Sequence, residues 1–510
     1  MVSRLCIYVY YQTVIYGFGC RLYLYLYQVF ISLFRIFRSI MDVIVIGCGA
    51  AGVAAIRKLH DAGLKVMGLE AADRIGGRIH TVEFGNGAVD IGAAWCHGEK
   101  DNVVFELANP LDLLGRPDPN TSFYVLSNGE LVPESISQDI LQVIGDHVAN
   151  GDKKGTQSIL ERAASAINTN PVLKSNPELT NSFIENYERM NHLGGQNDPK
   201  HGKSLRGMEE HWPCDGEFML NWKGKGYKMI LDVLLVRASV YKEIPVEILL
   251  NKEVESIRWG TNNLVLASLL PKANNPLVQV KCKDGSMYAA KSVIVTVSIG
   301  VLKDHMKLFN PPLPANKVTT INTLQLAVLD KIYIEFDKPW WPKTPASFVI
   351  LWTEEDKAKF GEDKWITEIF ALDTVAHQPN LLLAWLYGNG AEMMEKLSLA
   401  EVHAGVNTLM NKVLKKKFDV SPVTIIFLNF RSQWASNPLA RGAYAYRSVA
   451  TEQNGGDGAI LLSEPLYFGS KFPVVCFAGE ATSHHRHSAV HGAVESGFRE
   501  AERLIESFKH

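Results

Sequence analysis

No CxxC pair occurs among the seven cysteines, which are scattered at positions 6, 20, 48, 96, 214, 282 and 476 of a 510-residue chain. An odd, dispersed set excludes the spacing of a disulfide framework or a zinc site and points to a reducing compartment. Net charge is scarce too: 52 Lys and Arg against 54 Asp and Glu leave a formal charge of −2. That excludes a broad basic surface for nucleic acid. No hydrophobic run reaches the length of a bilayer span. The apolar N-terminal stretch 1–40 is split by Arg21 into pieces shorter than the roughly 20 residues a span needs. It holds no acidic residue, and no small-residue cleavage site follows Phe34. Met41 directly precedes the first strand-like run. The working protein is therefore expected to start there and to be cytoplasmic. A membrane anchor or a targeting peptide in 1–40 are the competing readings, and either would place it at a membrane or outside the cell. No Ser-His-Asp or paired-carboxylate arrangement stands out, and no internal repeat.

Apolar residues at 47% and charged residues at 21% match a globular protein, with enough chain for two domains or one large interleaved fold. The most informative stretch is Gly47-Cys48-Gly49-Ala50-Ala51-Gly52, a GxGxxG. The β-rich run VIVIG precedes it and the helical run GVAAIRKLHDAG follows. In that context Gly47 permits a tight turn, Gly49 lets a pyrophosphate approach the backbone, and Gly52 lets helix and strand pack closely. The N–H groups of the helix N-terminus then face the phosphates. Glu70 ends the next strand, VMGLE, about twenty residues on, where a carboxylate takes ribose hydroxyls and disfavours a 2′-phosphate. NAD and FAD both use this unit.

Arg74-Ile75-Gly76-Gly77-Arg78 follows the acidic strand and resembles the second fingerprint of FAD-dependent amine oxidases. Gly77 belongs to its turn, and Arg78 would offer a rigid fork of donors to the pyrophosphate. Further motifs follow in that family's order. Residues 90–98, DIGAAWCHG, resemble the segment beside the flavin ring, which implies contacts from Gly92, Ala93 and Trp95. SIGVLK at 298–303 resembles the passage from cofactor to substrate domain, and LDKIYIEFDKPWW at 329–341 carries the family's lysine at Lys331. WASNPLARGAYAY at 434–446, with Trp434, and FAGEATSHHRHSAVHGAVESG at 477–497 resemble the two C-terminal flavin segments. Glu480 would bind the ribityl or phosphate region. Val490 lies at the start of the closing helix, begun by Gly492 and Gly497, whose N-terminus would point at the flavin. Val254 in NKEVESI, between the strand runs EILL and LVLASLL, resembles the adenine-contacting valine. The chain is thus identified as resembling the flavin amine oxidases from about Val43 to Glu506. His97 in the WxHG segment and Tyr444 in RGAYAY are similar to the polyamine oxidases. Three positions depart from the pattern. Cys96 replaces a bulkier aliphatic, Asn102-Val103 replaces Asn-Pro, and Ala489 replaces an aromatic wall found in some members.

The resemblance implies an α/β fold. A Rossmann-type FAD-binding domain would take 41–120, 215–305 and 430–510, and an α+β, mixed-sheet substrate domain would take 121–214 and 306–429. It implies non-covalent FAD, since Cys476 reads as strand core and no other cysteine suits covalent attachment. It implies hydride transfer from spermine, spermidine or an N1-acetylated form to flavin N5, imine hydrolysis, and reduction of O2 to H2O2. Lys331, His97 and Tyr444 would serve the reaction. Lys331 would hold a water, His97 would meet the substrate amine, and Tyr444 would present its ring to the nitrogen. A polycation suggests an acidic entrance, with Glu99, Asp101, Glu209, Glu210, Asp215 and Glu217 as candidates. His484, His485 and His487 fall inside a flavin segment without a supporting carboxylate motif, so no metal is expected. The alternatives are an oxidase of another amine, monoamine or amino acid, a flavin desaturase, and a low-turnover flavin-binding interaction protein.

Overall fold

The computed structural model describes residues 40–151, 158–191, 199–235, 246–260, 277–342, 345–418, 420, 431–456, 458–469 and 472–509. The N-terminal stretch through residue 39 and the expected strand run 264–270 lie outside the described residues.

The strand Ile40–Ile46 ends in four buried residues, Val43 to Ile46, as a parallel strand covered on both faces requires. It pairs in parallel with Val66–Leu69 on one side and Met287–Val295 on the other. The crossover between the first two strands is the helix Ala50–Asp61, whose apolar side is buried from Val53 to Leu59. Glu247–Leu249 extends this sheet beyond Val66–Leu69. Val278–Cys282, Val254–Trp259 and Phe309–Asn310 extend it on the far side, while Phe472–Phe477 and Leu466–Phe468 branch from Met287–Val295, for nine strands in all.

A second sheet has six strands, in the order Leu329–Glu335, Gln378–Tyr387, Ile369–Val375, Ala346–Leu351, Thr121–Leu126 and Leu131–Val132. Its side chains alternate between two cores. Val349 and Leu351 face the helices Glu134–Ala149, Ile159–Thr169 and Pro177–Asn191, whereas Phe348 and Ile350 face Met394, Val402 and Val406. Residues 306–324, expected with the second unit, sit with the first. Phe309 pairs with Ile257, and Leu313, Ile321 and Leu324 join the core beneath Ile44 and Ile46. Their apolar side chains complete that core, whereas the expected boundary rested on the end of SIGVLK. Among the described residues no helix is long and apolar enough to cross a membrane.

The closing helix Val490–Ser507 lies directly on Ala50–Asp61. It begins at Val490. Gly492 lies in its first turn and Gly497 two turns in. A Cβ at Gly497 would stand 2.2 Å from the carbonyl oxygen of Ala51. The glycine therefore lets the last helix touch the backbone of the first. Gly497→Ala is expected to cost about 1–3 kcal/mol, since backbone cannot move aside as a side chain can. Gly145, within the helix Glu134–Ala149, has nothing within 4 Å of its Cβ position. Gly145→Ala is expected to stabilise by up to about 1 kcal/mol through helix propensity alone. Thermal unfolding of both variants checks the contrast.

Candidate active site

Gly47 adopts φ +92°, and its carbonyl accepts Thr296 Oγ1–H at 2.7 Å. A Cβ at Gly52 would stand 2.0 Å from that same carbonyl oxygen, so the third glycine is dictated by the turn's own backbone. Gly49 caps the helix with no side-chain hydrogen bond, and the first turn carries no acidic residue. The positive end of the helix is thereby left for an anion. Glu70 lies beneath. One oxygen accepts Cys48 N–H at 2.7 Å and the other accepts Ala72 N–H at 2.9 Å. Each oxygen retains a lone pair for a hydroxyl. The Glu70 carbonyl accepts Lys252 N–H at 2.7 Å, which brings the chain to half-buried Val254 past the same strand end.

The RIGGR turn faces this one, with Gly49 and Gly76 forming a parallel bridge. Its two arginines divide the work. Arg74 shapes the turn by donating to the carbonyls of Ile75, Gly77 and Ile79. Arg78 leaves the turn and donates to Glu480 Oε1 at 2.7 Å and to the Ala443 carbonyl at 3.1 Å. Glu480 also accepts the N–H groups of Ala445 and Ser488 at 3.1 and 2.9 Å. Three of its roughly four acceptor sites are thus filled by protein, which makes it a support for Arg78. Arg78, Ser298, Gly479, Glu480 and Thr482 line one cleft. Open helix amides, a carboxylate at one end and a guanidinium at the other fit a dinucleotide diphosphate.

Beyond Arg78 the chain forms a hairpin and emerges at Asp90. The carbonyls of Asp90, Ile91 and Gly92 are each bonded by a side chain. Lys331 Nζ donates to Asp90 O at 2.8 Å and Gly92 O at 2.6 Å. Tyr333 Oη–H donates to Asp90 O at 2.8 Å, and Trp434 Nε1–H to Ile91 O at 3.1 Å. A Cβ at Gly92 would stand 1.9 Å from the Arg78 carbonyl, which also accepts Ala93 N–H. Lys331 is 5% exposed and lies 5.6 and 5.0 Å from the ring centres of Trp95 and Trp385. The two indoles stack at 5.6 Å. Burial lowers the Lys331 pKa to about 8, partly opposed by Asp90. Burial likewise raises the Asp90 carboxyl to about 6, against its hydrogen bonds from Thr81 and Tyr227.

Tyr444 packs in the same aromatic cluster as Trp95, Trp385 and Tyr333, and burial raises its phenol pKa. His97 stacks on Phe218 at 4.3 Å, and its Nδ1 lies 2.8 Å from the Phe218 carbonyl. A carbonyl only accepts, so Nδ1 carries the proton and Nε2 is bare. Burial lowers the His97 pKa, partly opposed by that bond. Asn102 holds the His97 loop by donating to the carbonyls of His97 and Gly98 while capping the helix Val103–Ala108. Val490 opens the closing helix after Ala489, which supplies no side-chain cap, so that N-terminus too is open.

The structure thus joins Lys331, Trp95, Gly92, Ala93, Trp434 and Tyr444 around one backbone segment, with His97 two residues past Trp95. It joins Gly47, Gly49, Gly52, Glu70, Gly77 and Arg78 at the other end. Sequence reading missed Trp385, Tyr333, Thr296 and Phe218. Of these only Thr296, directly after the strand run VIV, carried a signal. His484 lies 3.4 Å from Glu210, His485 stacks on Trp212, and His487 packs edge-on to His211. Cys476 is fully buried in its strand.

Residues 50–505 match the family model for the flavin containing amine oxidoreductases. The chain is 28% identical to the human peroxisomal N(1)-acetyl-spermine/spermidine oxidase, over 91% of this chain and 94% of that one. It is 27% identical to the probable polyamine oxidase 5 of Arabidopsis thaliana, over 92% and 98%. A solved structure of putrescine oxidase, a double mutant redesigned in cofactor binding, shares the fold at TM-score 0.65 and 19% identity, over 92% of this chain and 99% of that one. With that match across nearly all the described chain, and with a dinucleotide site to receive FAD, the protein belongs to the flavin containing amine oxidoreductase family and is an FAD-dependent amine oxidase.

Proposed function

We propose that the chain oxidises a polyamine, spermine, spermidine or an N1-acetylated form, at a carbon next to nitrogen, yielding an aminoaldehyde, a shorter amine and H2O2. The observation that carries this reading is Lys331, a buried amine beside two stacked indoles at the wall formed by 90–97. The human and Arabidopsis relatives are named for polyamine oxidation, which favours that substrate over a monoamine or an amino acid. The nine-stranded sheet would carry the cofactor and the six-stranded sheet the substrate.

Bound flavin would supply the hydride acceptor. The residues of the chain move the protons and hold the amine. Lys331 in its neutral form gives both N–H groups to Asp90 O and Gly92 O. Its lone pair is then its one remaining site, suited to hold water and take its proton as water adds to the imine. His97 Nε2 takes a proton from the substrate ammonium. Tyr444 and Trp95 face the cationic nitrogen with aromatic rings. Asp101, Asp215 and Glu217 lie on the paired segments 96–101 and 214–220 beside His97 and would draw in a polycation. Glu99 is held by Arg116 at 2.5 Å, and Glu210 is already bound by Arg206 and Arg447.

Anaerobic addition of spermine, spermidine, N1-acetylspermine, dopamine and leucine to the flavin-loaded protein tests the substrate. A polyamine is expected to bleach the flavin rapidly, with colour and peroxide returning in air. Bleaching by dopamine or leucine alone would replace the polyamine reading with another amine, and no bleaching by any of them would favour an interaction protein or a desaturase. The pH profile tests Lys331. With its pKa at about 8, the neutral form grows as pH rises, so turnover is expected to climb through that region. Lys331→Met is expected to lower turnover by about 10²-fold or more and to abolish that limb. A Met variant that keeps the limb would remove Lys331 from the proton step.

A further inference from the structure

Behind Lys331 and Trp434 lies a buried pair of carboxyl groups. Asp330 lies in the strand Leu329–Glu335 and is 0% exposed. Its Oδ1 accepts Ser432 Oγ–H at 2.6 Å and Trp434 N–H at 3.3 Å. Its Oδ2 is buried and meets no donor among the described residues. Glu395, on the helix Gly388–Lys396, is also buried, and the two carboxyls bind adjacent amides of one turn, which brings them side by side. Glu395 Oε1 accepts Ala435 N–H at 2.8 Å, and Oε2 accepts Ser436 N–H at 2.7 Å. The charged neighbour is Arg431, whose guanidinium donates to the carbonyls of Met394, Glu395 and Leu397 at the end of the same helix.

Two ionised carboxylates cannot face each other in a buried site, so one of them carries a proton. Geometry says which. Protonating Glu395 would turn one of its oxygens into a hydroxyl, a poorer acceptor for a backbone N–H already in place. Protonating Asp330 at Oδ2 gives that orphaned atom a partner and disturbs nothing else. Burial and the Glu395 charge both raise the Asp330 pKa, in the same direction.

We propose that Asp330 is a positioning residue of this site: as a neutral carboxylic acid it donates Oδ2–H to the Glu395 carboxylate, and this bond holds the Trp434 turn against the strand that carries Lys331. The Trp434 amide is bound by Asp330 and the next two amides by Glu395, so the pair grips three consecutive residues of the turn. The proposal rests on the reading that Lys331 and Trp434 border the flavin.

The full chain with flavin bound is used for the test. Asp330→Ala is expected to lower kcat by about tenfold with little change in KM, a loss of the order of one hydrogen bond to a charged group. Asp330→Asn keeps an acceptor for Ser432 and Trp434 and an N–H for Glu395, and it is expected to restore most of that loss. Glu395→Gln points an amide N–H at one of two backbone donors and is expected to be impaired like Asp330→Ala. In the infrared, the spectrum of the unmutated protein minus that of Asp330→Asn at pH 8 is expected to show the carbonyl band of an un-ionised carboxylic acid, shifted in D2O. Absence of that band would overturn the proposal, as would Glu395→Gln working as well as Asp330→Asn. The infrared reading needs no substrate and stands even where Glu395→Gln fails to fold or the polyamine reading fails.

Discussion

Three consecutive carbonyls, those of Asp90, Ile91 and Gly92, hold the ring end of the site together. They lie at and just beyond the end of the hairpin strand Gly87–Asp90, outside both large sheets. Buried carbonyls without a partner cost about as much as a lost hydrogen bond each. Here Lys331, Tyr333 and Trp434 satisfy all three. Two of those side chains come from one strand of the six-stranded sheet, at alternate positions that share a face. The same bonds therefore dock the hairpin segment on the six-stranded sheet and aim Lys331. Gly92 adds a steric condition, because any side chain there would collide with the Arg78 carbonyl. The link that positions Lys331 is thus continuous with the link that positions Arg78.

The electrostatics follow from that docking. A lysine buried beside two stacked indoles loses most of its water, and its pKa falls to about 8. The carboxyl of Asp90, buried nearby, rises to about 6. His97 is pushed down by the same cause. Desolvation moves cations down and anions up, so Lys331 and Asp90 converge toward neutral pH, while His97 is held in its neutral form. Groups tuned in this way transfer protons with little energetic mismatch, which suits a reaction whose redox step belongs to the cofactor.

The parts legible in the sequence are those whose physical demand is local. Gly47 and Gly52 are tied to a turn and to a carbonyl within five residues, so their spacing alone identifies them. The strand before them is uniformly apolar because both of its faces are covered. Lys331 was legible through the resemblance of its segment, and its apolar neighbours Leu329, Ile332 and Ile334 agree with its burial. Trp385 was not: it sits in NLLLAWLYG, where every residue reads as core, and only strand register places it opposite Lys331. Asp330 and Glu395 look like two unrelated charges until the fold buries them together. Arg74 and Arg78 flank one glycine pair, and spacing cannot say that the first shapes the turn while the second leaves it. Residues 306–324 follow a motif that resembles the family's passage between domains, yet Phe309 and Leu313 complete the earlier core.

Arg78 and Glu480 show why an ion pair inside a binding cleft need not be a stability device. A partly buried pair gains little net energy, since desolvation offsets most of the attraction. Its use here is directional. Without an anion nearby, an unpaired guanidinium would swing out toward water. Glu480 and the Ala443 carbonyl restrain it through a single nitrogen, Nη1. Of the five N–H donors of the guanidinium, the two on Nη1 are engaged, and the three on Nη2 and Nε remain. Those three form the edge that matches phosphate oxygens two at a time. A diphosphate entering this cleft would meet an arginine already oriented and would need to break no existing bond to use it. The ordering entropy of that side chain is met on folding, and binding begins from a site set in advance.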